Sequence, residues 1–239
     1  MVGTVGRHLQ AQEIKERLNS LISQAYPVDL SLAMRLDEIS RWVKDVKPGA
    51  LTNKKFVMAF LLQLVSDSEV WLAVKSLPSD AEQQAAFELM TPAERYWYSY
   101  LFPKWLSETD RKFHIWKRKL MAGDFYPADD RLLQSLATHI QQRGDTSFIQ
   151  RYIADLSMAT DSIVSNRQQH PLCIQVTTLS DEFSAEKYHK WQQTLQAWGI
   201  DRGLFLSYDG SDENFLNQLV NIALYNSDNL PAGRYLKFP

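Results

Sequence analysis

Positive charge interleaved with aromatic residues is concentrated near the middle of the chain. Five basic residues fall within nine positions, directly after Asp110: Arg111, Lys112, Lys117, Arg118 and Lys119. Helical spacing places Phe113, Trp116 and Leu120 on one face and spreads the charges around the rest of the helix. Because clustered lysine and arginine bind phosphate backbones, the segment predicts a nucleic-acid contact. The alternative is a solvated helix face whose charges pair with acidic neighbours.

A second set of polar residues falls on two predicted strands. Asp161 opens a short strand with Ile163-Val164, and Gln175 and Thr177 lie within a segment rich in β-branched residues. Side chains alternate along a strand, so Gln175 and Thr177 share a face and can meet Asp161 across a hairpin. A structural role is the alternative, with Asp161 in a turn and Gln175 bonded to a neighbouring backbone group.

The elements that position these residues follow one another through the second half of the chain. Apolar periodicity and turn signals predict the order helix, strand, hairpin, strand, helix, strand, helix over residues 129–226. The predicted helices cover about 129–142, 184–198 and 213–226, and the predicted strands cover 161–164, 172–178 and 203–208. The segment Ser147–Leu156 is predicted as a short helix or irregular structure.

This order resembles the core of the PD-(D/E)XK nuclease superfamily, the restriction-endonuclease-like fold. In that family an aspartate at the first strand and an acid in the second bind one or two divalent cations, and a lysine two residues later positions or activates the attacking water. The resemblance implies Mg²⁺ or Mn²⁺ bound by Asp161 and Gln175, with Thr177 at the lysine position. A cation relieves repulsion between neighbouring carboxylates and lowers the pKa of bound water.

The family's lysine also occurs on the helix that follows the second strand. Lys187 and Lys190 lie in the first two turns of that predicted helix, so the resemblance implies that either one is the catalytic lysine. The alternative is that both are surface residues whose stems cover apolar neighbours. The acids nearest to the site in sequence are Asp129, Asp130, Asp145 and Asp155.

The first half of the chain reads as consecutive helices. Helices are predicted over about 8–24, 29–46 and 53–66, and Thr91-Pro92-Ala93-Glu94 has the pattern of a capped helix start. The predicted fold class is therefore α/β (α+β overall): an all-helical module over 1–125, then a restriction-endonuclease-like α/β domain over 126–239 with a small sheet flanked by helices.

Composition narrows the possible functions. The chain has 239 residues, 45% of them hydrophobic, and a net charge of −2, which favours a folded protein with a sizeable core. The single cysteine, Cys173, excludes an internal disulfide and any zinc site built from several cysteines, and it is predicted to be buried. Dinucleotide, phosphate-loop and serine-esterase motifs are absent from the sequence. The longest apolar run is half of what a bilayer requires, so we expect a soluble, cytoplasmic protein without a membrane partner.

Two functions from different classes are compatible with this pattern. One is a protein that engages DNA or RNA and cleaves phosphodiester bonds with Mg²⁺ or Mn²⁺. The other is a catalytically inactive subunit of the same fold, which has lost the acid and the lysine and acts as a binding or assembly module. In the second case its aromatic helices would pack against a protein partner, through residues that include Trp97, Trp105, Trp116, Trp191 and Trp198.

Overall fold

The chain is a mixed α/β protein with a small five-stranded sheet among many helices. Its structure, a computed structural model, describes residues 11–44, 55–122, 127–177, 181–207 and 215–238. These residues fall into two compact units. The first contains Met1–Gln84 and Lys117–Asp124, and the second contains Ala85–Trp116 and Phe125–Pro239.

Every regular element among the described residues of the first unit is a helix. It contains α1 (Ala11–Ala25), α2 (Leu30–Lys44), α3 (Lys55–Lys75) and the start of α4 (Asp80–Glu88). Asp29 begins α2: its Oδ1 accepts the Leu32 N–H at 3.1 Å and its Oδ2 accepts the Trp71 indole N–H at 2.7 Å. The three long helices bury apolar side chains spaced three and four residues apart, among them Ile14, Leu18, Leu32, Leu36, Ile39, Phe60, Leu61 and Leu64.

Helix α3 is longer than the predicted 53–66. By length and composition Phe56–Lys75 is apolar enough to cross a membrane, and 56% of that stretch is buried inside the protein. The helix also buries Asp67 and Ser68, and Ser68 Oγ donates to the Leu64 carbonyl at 2.7 Å. These features are consistent with the core helix of a soluble protein.

The second unit begins with an aromatic helical segment. It contains α5 (Pro92–Tyr96), a π-helical turn (Trp97–Leu101) and α6 (Phe102–Ser107), followed by the start of α7 (Phe113–Ala122). The predicted cap is confirmed, since Thr91 Oγ1 accepts the Glu94 N–H while Glu94 Oε2 accepts the Thr91 N–H. The five tryptophans considered for partner contact are all buried in this unit, so they are core residues: Trp97, Trp105, Trp116, Trp191 and Trp198.

The sheet contains every described strand, in the order β1-β2-β3-β4-β5. The strands are β1 (Ser147–Ile149), β2 (Ser162–Ser165), β3 (Leu172–Thr177), β4 (Arg202–Ser207) and β5 (Arg234–Phe238). The first three form an antiparallel meander, and β4 and β5 add in parallel to β3. The predicted hairpin is thereby confirmed, with Ile163 opposite Cys173.

Helices cover both faces of the sheet. Apolar residues of α8 (Pro127–Gln141) and α11 (Phe215–Asn229) pack in one core with Ile174, Leu204 and Leu206. On the other face lies α10 (Asp181–Ala197), whose Tyr188 and Trp191 rings contact Phe205 at centroid distances of 5.8 and 5.4 Å. The predicted sheet flanked by helices is therefore present.

Two details differ from the sequence-based prediction, and some predicted ends cannot be compared. Ser147–Ile149 is a strand, and the helix after it is α9 (Tyr152–Met158), so one helix or irregular segment over 147–156 was wrong. The strand β5 was not predicted. The predicted ends of the strands at Thr178 and Tyr208, and the turn after Tyr208, lie outside the described residues.

Candidate functional site

The side chains of Asp161 and Gln175 meet where β2 begins. Asp161 precedes β2, and its backbone N–H donates to the Ile174 carbonyl at 2.8 Å, which ties it to β3. Its Oδ2 accepts two hydrogen bonds at 2.7 Å, one from Gln175 Nε2 and one from the Val176 N–H. The predicted contact across the hairpin is confirmed, and it follows from the alternation of side chains along β3.

Asp161 is a buried carboxylate with an unusual proton affinity. Burial raises the pKa of Asp161 well above its ordinary value, and the charge of Asp155 on α9 raises it further. The bonds from Val176 and Gln175 and the charge of Lys187 oppose this increase. The charges of Asp155 and Lys187 therefore act on the Asp161 carboxyl in opposite directions.

The structure separates the two lysines that were candidates for the catalytic position. Lys187 Nζ donates to Thr177 Oγ1 at 2.8 Å, so the helix-borne ammonium group reaches the strand position at which the resemblance requires a lysine. Lys190 instead forms an exposed ion pair with Glu186, one turn earlier on α10. Of the two, only Lys187 belongs to the cluster with Asp161, Gln175 and Thr177.

The oxygen atoms of this cluster have the chemistry of a site for a hard divalent cation. Asp161 and Asp155 repel each other, which is the condition that a cation between carboxylates relieves. Gln175 turns its Nε2 toward Asp161, and its Oε1 has no hydrogen-bond partner among the described residues. Over that same part of the chain, no group of three or more His, Cys, Asp or Glu side chains is positioned to hold a metal. The donors that the structure brings together here are the Asp161 carboxylate and the Gln175 amide, with the charge of Asp155 acting on Asp161.

Sequence inspection did not assign a role to Asp155. It was one of four acids near the site in sequence, and no spacing distinguished it from the others. Asp145 is exposed, and the side chains of Asp129 and Asp130 lie outside the described residues. Of the four acids, Asp155 is the one whose charge acts on Asp161. The fold relates the two because the chain turns after α9, where Ala159 adopts a left-handed conformation (φ 53°), and then enters β2.

The predicted basic segment is divided between the two compact units. Arg111 and Lys112 belong to the second unit, whereas Lys117, Arg118 and Lys119 belong to the first. Arg111, Arg118 and Lys119 are exposed, while Lys112 and Lys117 are half-buried. Lys112 Nζ donates to Thr194 Oγ1 on α10 at 3.2 Å, so this end of the segment lies near the helix that carries Lys187.

Comparison with known proteins adds no assignment to this geometry. No protein-family model, no curated protein and no solved structure matches the chain.

Proposed function

We propose that this protein engages nucleic acid and cleaves phosphodiester bonds with the help of Mg²⁺ or Mn²⁺, as a degenerate member of the PD-(D/E)XK superfamily. The observation that carries the proposal is the position of the Lys187 ammonium group, 2.8 Å from Thr177 Oγ1 and close enough to Asp161 to affect its pKa. A lysine supplied by α10 takes the place of the lysine that β3 lacks.

The roles of the residues follow from their chemistry. Asp161 and Asp155 would hold the cation together with the Gln175 carbonyl oxygen, and Thr177 would orient the Lys187 ammonium group. Lys187 would position the attacking water and stabilise the negative charge that develops on the phosphate. The chemistry that a bound Mg²⁺ or Mn²⁺ supplies is polarisation of the phosphate and a lowered pKa for water.

The element order supports the same proposal. From α8 to β4 the order is helix, strand, short helix, two-stranded hairpin, helix and parallel strand. Asp161 directly precedes β2 and Gln175 lies on the adjacent β3, which is the placement that the resemblance implies. We also propose a cytoplasmic location, which is supported by the free, buried thiol of Cys173.

The test is cleavage of labelled single-stranded and duplex DNA and RNA in the presence of Mn²⁺. We expect cleavage by the native protein, loss of at least about a hundredfold in Asp161→Asn and Lys187→Gln, and unchanged cleavage in Arg143→Gln. Arg143 is a matched control because it is exposed and bonds to Asn221 on α11, on the opposite face of the sheet from α10. Equal cleavage by native protein and Asp161→Asn, or none by either, would refute the catalytic proposal.

One observation favours a second function, a non-catalytic binding module of the same fold. The Asp161 carboxylate already accepts two short hydrogen bonds from β3, which is the arrangement of a structural link between strands. Titration with Mn²⁺ during thermal unfolding distinguishes the two functions. A cation site stabilises the native protein by about 2.7 kcal/mol at about a hundred times its Kd and leaves Asp161→Asn unaffected. If Mn²⁺ changes the thermal unfolding of neither the native protein nor Asp161→Asn, the result favours the binding module.

A further inference from the structure

A cavity of about 760 Å³ lies between the loop 108–112 and the second half of α10, within the second unit. Its volume is in the range of sites that enclose a small molecule or roughly one or two nucleotides. The lining comes from the loop, from α10 and the residue after it, and from one residue of α9: Glu108, Thr109, Asp110, Arg111, Lys112, Ser157, Lys190, Gln193, Thr194, Ala197 and Trp198.

The wall of the cavity is fixed by a buried carboxylate. Asp110 Oδ2 accepts the indole N–H groups of Trp105 and Trp116 at 3.2 and 2.9 Å and the Ser157 hydroxyl at 2.6 Å. Its Oδ1 accepts the Lys112 backbone N–H at 2.9 Å. Both carboxylate oxygens of Asp110 are thus hydrogen-bonded to groups of the protein itself. The bond to Ser157 also holds the loop that carries Arg111 and Lys112 against α9.

Basic side chains outnumber acidic ones in the lining, and one of them, Lys190, also pairs with the exposed Glu186. Arg111, Lys112 and Lys190 line the cavity, and the other acid of the lining, Glu108, is 3.4 Å from Lys104. Arg111 is exposed and forms no hydrogen bond or ion pair with any residue that the structure describes. Gln193 adds an amide group, which can donate to and accept from the edge of a base, whereas the Thr194 hydroxyl already donates to the Lys190 carbonyl and accepts from Lys112 Nζ.

The cavity adjoins the proposed catalytic cluster. Lys187 and Lys190 lie three residues apart on α10, and side chains at that spacing are neighbours on a helix surface. A strand bound at Asp161 and Lys187 would therefore continue into the cavity.

We infer that this cavity binds single-stranded nucleic acid next to the phosphate that is cleaved, with Arg111 and Lys190 contacting phosphates and Gln193 contacting a base. The inference rests on the proposed function and adds the substrate class. A single strand is favoured over a duplex because the volume admits unpaired nucleotides one after another. The Trp198 ring in the lining is buried and its indole N–H donates to the Ser157 carbonyl, so the proposed contact rests on charge rather than on base stacking.

The experiment measures binding by fluorescence anisotropy with a short labelled single strand and with the matched duplex. Ca²⁺ replaces Mg²⁺ and Mn²⁺, so that no strand is cleaved. We expect the protein to bind the single strand more tightly than the duplex. Arg111→Gln and Lys190→Gln, each made alone, should lower the affinity for the single strand about fivefold. Each variant should also reduce the slope of log affinity against log salt concentration by the amount expected for the loss of about one phosphate contact. A merely structural effect would not change this slope. The matched control is Arg143→Gln, for which we expect unchanged affinity.

The outcomes separate this inference from the proposed function. Unchanged binding and salt dependence in Arg111→Gln and Lys190→Gln, or tighter binding of the duplex, overturns the inference even if Asp161→Asn has lost cleavage. Binding that depends on Arg111 and Lys190 in a protein that cleaves nothing supports the cavity and overturns the catalytic proposal alone.

Discussion

At the scale of single residues, the buried Arg202 side chain forms four hydrogen bonds in the core of the second unit. Its guanidinium donates to four backbone carbonyls, those of Leu230, Pro171, Asn226 and Ser227, at 2.5 to 3.1 Å. The Pro171 carbonyl precedes β3, the Asn226 and Ser227 carbonyls lie near the end of α11, and the Leu230 carbonyl directly follows α11. The Arg202 side chain therefore joins β4 to the start of β3 and to the end of α11.

We expect Arg202→Met to lower the free energy of unfolding by about 3 kcal/mol or more, because it leaves buried carbonyls without a donor. Arg202→Lys should cost less, since an ammonium group replaces part of the donor set without the planar fork. Urea denaturation of both variants measures this. A loss below about half a kcal/mol for Arg202→Met would show that the carbonyls find other donors.

Cys173 provides a prediction of pH dependence. Burial raises the pKa of its thiol to about 12, from an ordinary value of 9.0. Above about pH 9 the unfolded chain loses this proton while the native protein keeps it, so stability falls by about 1.4 kcal/mol per pH unit until the native thiol ionises. From about pH 8 to about pH 10, the native protein should lose about 1.4 kcal/mol more than Cys173→Ala in urea unfolding. Parallel losses in the two proteins would contradict the raised pKa.

Sequence reasoning succeeded for residues whose position follows from strand alternation. The contact of Gln175 with Asp161 was predictable because both belong to one hairpin. The choice of Lys187 over Lys190 was not, since it depends on where α10 lies above the sheet. The cavity beside Arg111 depends on Asp110 bonding to Ser157, a contact between residues 47 positions apart that no local pattern records.

At the scale of elements, the close packing of α10 on β4 depends on Gly203. A Cβ atom at this position would meet the Leu195 side chain and lie 2.7 Å from Trp191 Cη2. Glycine therefore allows the helix that carries Lys187 to approach the sheet.

We expect Gly203→Ala to destabilise the protein by about 1–3 kcal/mol through overpacking, and to change the near-UV circular dichroism of the tryptophans. Gly144→Ala is the comparison, because φ there is 67° and no atom lies within 4 Å of an added Cβ. It should cost about 1–2 kcal/mol through the backbone alone and leave the aromatic signal unchanged. An unaltered aromatic spectrum in Gly203→Ala would argue against tight contact between α10 and β4.

Most elements were predictable because their apolar residues repeat at helical or strand spacing over at least one full period. β1 is only three residues long, too short for alternation to be recognised, and it is identified only by pairing with β2. β5 is the last strand in the order and pairs only with β4. Because most of its residues are half-buried, it has no clearly buried face opposite an exposed one, which is the pattern from which a strand is recognised.

At the scale of the whole molecule, the two compact units are interleaved in sequence. The predicted boundary at 125/126 would leave residues 85–116 outside the C-terminal part, although they belong to the second unit. These residues supply the Ala93 N–H bond to Ser147 Oγ, the Tyr100 hydroxyl bond to the Gly199 carbonyl, and the buried Asp110.

We therefore expect a fragment of residues 126–239 to unfold without cooperativity and to expose Trp191 and Trp198, whereas a fragment of residues 85–239 unfolds in a single transition. Thermal unfolding followed by circular dichroism and tryptophan emission checks this for both fragments. Cooperative unfolding of the shorter fragment would show that the α/β part folds by itself.

The interleaving has a consequence for biosynthesis. The first unit contains residues 117–124, which leave the ribosome only after the whole of 85–116 has been made. That intervening stretch is rich in tryptophan, tyrosine and phenylalanine, and its strands and covering helices are translated later still. The nascent chain thus carries a long aromatic segment without its partners until those strands and helices have been made, a period in which such surfaces are prone to aggregate.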